Sequence, residues 1–174
     1  MDFDQQRAQR GNTERAFDGL GLSEANLHII DAIPTLAWCA RPGGSNEFLN
    51  RRWQDYTGLS VQEGLGWGWK VAIHPDDLGS LMAKWETLRA SGESGESEAR
   101  LRRSDAVYRW FLFRVEPLRD KAREVVEWYG TATEIEDRKR TESLRAIEKR
   151  TLEMIADGAS LNDILSDLCR SIDV

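Results

Sequence analysis

Along the second half of the chain, apolar and polar residues alternate with the period of a β-strand. Between Glu98 and Ile135, three runs rich in β-branched and aromatic residues are broken at Ser104-Asp105 and again around Asp120-Lys121. This is the pattern of an antiparallel meander. In the middle run Phe111, Phe113 and Val115 fall on one face and Trp110 and Leu112 on the other, because side chains alternate along a strand. Both faces are apolar at the centre, so the sheet needs cover on both sides.

Upstream the period lengthens. Leu78, Leu81, Met82, Trp85 and Leu88 form one helical stripe, and Pro75, Asp76 and Asp77 suit the first turn of that helix. It predicts the main helix packed on the meander, ending in the glycine- and serine-rich stretch Ser91 to Ser97, read as a flexible link. Leu36 to Ala40 and Glu47 to Leu49 read as short strands across an RPGGSN turn. Asn50 to Tyr56 reads as a helical turn closed by Thr57-Gly58, and Gly64, Gly66 and Gly68 make Leu65 to Trp69 too irregular for one long helix. Earlier still, Ser23 caps an amphipathic turn carrying Leu27, Ile30 and Ile33, which Pro34 ends. That turn is the candidate cover for the second face of the sheet. Beyond the sheet, Leu144, Ile147, Thr151 and Met154 are spaced 3-4-3 in a highly charged segment, a short heptad seam. Gly158 breaks it, and Leu161, Ile164, Leu165, Leu168 and Ile172 form a second stripe.

The order of motifs carries a resemblance. FLNRRWQDYTGLS (Phe48 to Ser60), preceded by IPTLAW and followed by WKVAIHPDD (Trp69 to Asp77), is similar to a PAS domain. RWFLFRVEPLRD and VVEWYGTATEIEDRKRTE resemble the C-terminal, PAC-type half of the same family, with its exit into a helix. The resemblance runs from about Ser23 to Glu142. It implies an α+β fold: a five-stranded antiparallel sheet of order 2-1-5-4-3, short helices on one face enclosing a small cavity, an N-terminal amphipathic helix and a C-terminal signalling helix. The domains expected are a polar extension over residues 1–22, a PAS sensor over 23–136, a coiled-coil linker helix over 137–157, and, over 158–174, a stretch that resembles the first helix of a GAF-like module.

On the same basis Trp69, Ile73, Leu101, Phe111, Phe113, Trp128 and Ala132 are the expected cavity lining. Leu27, Ile30, Glu134, Ile135, Leu144 and Ile147 are the expected relay and dimer positions. The Glu134 carboxylate is placed to accept hydrogen bonds from backbone N–H groups at the start of the following helix. Three departures from the family pattern stand out. Asp105-Ala106 replaces the common Asp-Gly, Lys121-Ala122-Arg123 lacks a turn glycine, and Glu134-Ile135-Glu136 stands where the family carries Asp, an aliphatic residue and Thr. The first two predict turns that are longer or of another type.

Composition narrows the chemistry. A chain of 174 residues with a net charge of −6 suits one globular unit with tails, and its interleaved charges argue against a nucleic-acid partner. Cys39 and Cys169 form neither a disulfide framework nor a metal-ligand spacing. No apolar stretch approaches the roughly 20 residues of a membrane span, so a cytoplasmic location without direct membrane contact is expected. Among the tryptophans, Trp38, Trp53, Trp85 and Trp110 read as packing.

No cofactor is assigned. Haem is disfavoured because only His28 and His74 are available, the first outside the cavity and the second explained by a helix start. Flavin is disfavoured because residues 48–92 hold no cysteine, while Leu101 and Phe111 stand where flavin binders carry amides. No catalytic motif is present, so this stretch is not expected to be an enzyme. The expected function is a sensory module that homodimerises and relays a small-molecule or conformational signal to an output domain of the same parent chain, such as a histidine kinase or cyclic-dinucleotide enzyme. The alternative is a structural relay with a filled core and no ligand.

Overall fold

A computed structural model describes residues 30–172. Five strands form one antiparallel sheet: β1 (Leu36–Ala40), β2 (Asn46–Leu49), β3 (Gly95–Arg102), β4 (Tyr108–Arg119) and β5 (Val125–Glu134), in the order β2-β1-β5-β4-β3. This is the expected order. Between β2 and β3 lie the helices α1 (Arg51–Thr57) and α2 (Val61–Gly64), a 3-10 turn (Gly68–Ala72) and the long α3 (Pro75–Ser91). After the sheet come α4 (Glu136–Ala156) and α5 (Leu161–Ile172). The chain divides between Glu134 and Ile135 into two compact units.

Local chemistry sets the boundaries. The Asn50 side chain accepts a hydrogen bond from the Trp53 N–H and so caps α1, which ends at Gly58 with φ 75°. Ser60 and Glu63 satisfy each other's N–H groups around α2 in a capping box. Pro75 opens α3 behind His74, and Gly92 closes it with φ 71°. The helical stretch before the sheet ends at residue 32. Ile30 packs on the outer sheet face beside Cys39, Phe48 and Tyr129; Leu27 and His28 lie outside the described residues.

Phe111, Phe113 and Val115 are buried and Trp110 and Leu112 half-buried, so both faces of β4 are as the alternation predicted. The link into β3 is shorter than expected, because the strand begins at Gly95. A Cβ there would lie 2.6 Å from Leu88 Cδ2, so glycine lets the end of α3 settle on the strand. Nor do the missing turn glycines force a different backbone: Ala106 and Arg123 themselves take φ 68°. At the first turn the Asp105 carboxylate accepts the Val107 N–H, which helps hold a conformation that L-residues otherwise avoid.

In the second unit, Ile147, Thr151 and Met154 of α4 are half-buried, as are Ile164 and Leu168 of α5. The expected seam is therefore split. Leu144 remains 59% exposed, while the rest of the seam is half-buried, and Arg150 of α4 meets Asp167 of α5 at 2.6 Å.

Candidate functional site

Two groups of buried residues fill the space between sheet and helices. One joins Trp53, Trp69, Ile73, Leu81, Leu101, Phe111, Phe113 and Ala132. The other joins Ala40, Trp85, Leu88, Val115 and Trp128. A cavity of about 50 Å³ lies where they meet. Its walls are Trp38 on β1, Asn46 on β2, Trp53 on α1 and Trp69 in the 3-10 turn; Leu81, Trp85 and Leu88 on α3; Gly95 and Ser97 on β3; and Phe113 and Val115 on β4. A drug-sized ligand needs roughly 300–1,000 Å³, so this space takes only a very small molecule or a few waters. The Nε1 atoms of Trp53 and Trp69 are both buried with no hydrogen-bond partner among the described residues.

Of the expected lining residues, Trp69 and Phe113 border the cavity. Ile73, Leu101, Phe111 and Ala132 are buried in the same cluster but do not line it, and Trp128 belongs to the other cluster. Asn46, Gly95 and Ser97 were missed, and Trp38, Trp53 and Trp85, expected to serve as packing, line the cavity as well. A signal for two of them was present: Gly95, Ser97 and Ala99 are small residues in phase along one strand face, and small side chains opposite large ones leave space.

The outer face carries a second polar group. Tyr129 donates its hydroxyl to Glu127 at 2.5 Å, and the buried Cys39 lies beside them. Burial first, then the neighbouring Glu127 carboxylate, pushes the Cys39 thiol well above its ordinary range. Burial, reinforced by the bond to Glu127, does the same to Tyr129. A thiol held protonated in this way is a poor nucleophile.

His74 has a structural task at the start of α3. Its Nδ1 accepts the Asp76 N–H, and its ring meets Tyr108 edge to face at 4.6 Å. Asp77 accepts the backbone N–H, Nε and Nη2 of Arg100, each at 2.8 Å, which ties the helix to the edge strand β3. These bonds from Arg100 hold the Asp77 carboxyl below its usual range. Among the described residues, no group of three or more His, Cys, Asp or Glu is placed to hold a metal ion.

At the far end of the sheet, Glu134 closes β5 opposite Phe111, and the Tyr56 ring packs edge to face on Phe111 at 4.9 Å. Burial, and next the Glu134 carboxylate, push the Tyr56 phenol up to about 12. Glu134 does not cap the following helix as expected. Ile135 takes the N-cap position with no side-chain hydrogen bond, and Glu136 and Asp137 supply the negative charge of the first turn. The reason is spacing: an N-cap side chain serves the N–H groups two or three residues on, and Glu134 stands one residue too early.

A family model for the PAS fold matches residues 46–132. An uncharacterised protein, y4lL, of Sinorhizobium fredii is 37% identical over 137 residues, covering 78% of this chain and 16% of that protein. The peroxide stress-activated histidine kinase mak1 of Schizosaccharomyces pombe is 38% identical over 124 residues, covering 71% of this chain and 7% of the kinase. The chain thus spans a small part of either relative. In fold it is similar to the N-terminal domain of a diguanylate cyclase with PAS/PAC sensor from Marinobacter aquaeolei, at a TM-score of 0.55 and 19% identity, covering 60% of this chain and 98% of that one. Among the described residues no helix is long and apolar enough to cross a membrane.

Proposed function

Since the chain belongs to the PAS family, we propose that it is a signalling module in which the state of the cavity is passed through α1 and the end of β5 to α4, and on to an output domain elsewhere in its parent chain. One observation carries this reading. The short α1 places Trp53 on the cavity wall and, three residues on and so on the same side of the helix, Tyr56 against Phe111, whose strand partner is Glu134. The next residue, Ile135, begins the second unit. A shift of α1 therefore reaches the junction by packed contacts. An output of signalling type is supported by the histidine kinase matched in fission yeast, which carries such a region within a longer chain.

Tyr56→Ala removes the contact beside Glu134 and is expected to change amide hydrogen exchange over residues 136–143 at least about threefold, while β3 and β4 amides keep their rates. Unchanged exchange in α4 contradicts the relay.

The module is also proposed to pair with a second copy through α4. Leu144, Leu152 and Ile155 are 59%, 60% and 56% exposed and fall on one side of α4, an apolar stripe that a second copy could cover. Analytical ultracentrifugation of Leu144→Asp/Leu152→Asp is expected to show monomer where the parent chain is dimer. Equal dimerisation sinks the pairing. The last helix is read as the opening of a GAF-like module on the same parent chain.

A further inference from the structure

The two unpaired indoles identify what the cavity is built to hold. Trp53 is 1% exposed and Trp69 8%, both rings line the same small space, and both N–H donors lack an acceptor among the described residues. A buried donor without a partner forfeits the hydrogen bond it had with water, so such groups in folded proteins are nearly always matched. Two such donors on one cavity call for an acceptor inside it. The remaining polar side chains on the wall, the Trp38 and Trp85 indoles, the Asn46 amide and the Ser97 hydroxyl, are neutral, and no charged side chain among the described residues lines the space. An ion there would be stripped of water with nothing to neutralise it. Size completes the description: at about 10–15 Å³ of such space per water, a cavity of about 50 Å³ fits about three to five non-hydrogen atoms.

We infer that the cavity binds a neutral molecule of that size bearing a carbonyl or similar oxygen, which accepts hydrogen bonds from the indole N–H groups of Trp53 and Trp69. This rests on the signalling role proposed above and gives it a ligand class: small, uncharged, acceptor-bearing compounds, as distinct from the large planar cofactors.

The test is to titrate the whole chain, labelled with nitrogen-15, with acetone and separately with 2-methylpropene, which has the same shape and no oxygen, following the seven indole N–H signals by NMR. Trp53→Phe and Trp69→Phe assign the two signals; should either variant fail to fold, triple-resonance assignment of the parent chain replaces it. Expected are saturable shifts of the Trp53 and Trp69 signals with acetone, no shift at the exposed Trp67, and binding at least about tenfold tighter than that of 2-methylpropene. Equal binding of the two compounds overturns the inference, because the cavity would then select on shape alone. So does the absence of saturation, including the case where both indoles keep cross-peaks to water at the highest acetone concentration. The relay is separable: saturation of both indoles with no change in α4 amide exchange keeps the ligand class and removes the signalling role, whereas Tyr56-dependent exchange with silent indoles does the reverse.

Discussion

The two ends of the helix-side core are built from the same residue type and reach opposite results. At one end Trp85 meets Trp38 edge to face at 5.7 Å and Trp128 at 5.3 Å, Trp38 and Trp85 also reaching the cavity wall while Trp128 does not. The strand beneath makes room for them: a Cβ on Gly130 would sit 2.1 Å from the Trp38 ring. At the other end Trp53 and Trp69 stand around a cavity with their N–H groups unmatched. Three interlocked rings gain area burial and quadrupole geometry together, whereas two rings with buried, unpaired donors give up part of that gain. Large aromatic content alone therefore does not distinguish packing from binding.

The largest expected effect compares the ends directly. Trp128→Ala and Phe113→Ala both delete a buried aromatic, and each is expected to cost about 3–5 kcal/mol by denaturant unfolding. Trp128 belongs near the top of that range, because it does not border the cavity, and Phe113 near the bottom, because it does. The reverse order would mean that the cavity end is the tighter one. A loss under about 1 kcal/mol at Phe113 would place its side chain outside the core.

A smaller effect concerns how α3 is held over the cavity. Asp77 receives three hydrogen bonds from Arg100, and Asp77→Asn is expected to cost about 1–3 kcal/mol. Because its folded pKa lies below the ordinary carboxylate value, the stabilisation is present above the unfolded pKa of about 3.9 and is lost as pH falls through the lower, folded value. Melting temperatures of parent and Asp77→Asn are thus expected to differ at pH 7 and to converge as pH falls through the folded value, below the ordinary carboxylate range. A constant difference across that range would show that the pair contributes through packing rather than charge.

Much of this was legible in the residue pattern, for physical reasons that also explain what was not. The faces of β4 followed from a period of two, and the ends of α1 and α3 from Gly58 and Gly92, because alternation and left-handed glycines act within a few residues. The cavity wall is non-local. It depends on which small residue of β3 ends up opposite which ring of α3, so Ser97 and Gly95 were not picked out while Ile73 and Leu101, buried but away from the opening, were. The handedness of the turns at Ala106 and Arg123 was also hidden, since their side chains do not ask for positive φ. The placement of Glu134 failed by one residue, which is enough to exchange a cap for the end of a strand.

The central claim is that the cavity end, through α1, sets the state of α4, and a double-mutant cycle tests it most directly. Ser97→Val adds bulk at the cavity wall, Tyr56→Ala cuts the path at the end of α1, and amide exchange over residues 136–143 is read in the parent, both single variants and the double variant. The account predicts that Ser97→Val changes α4 exchange several-fold when Tyr56 is present and leaves it unaltered when Tyr56 is replaced. An equal change in both backgrounds, or none in either, contradicts it.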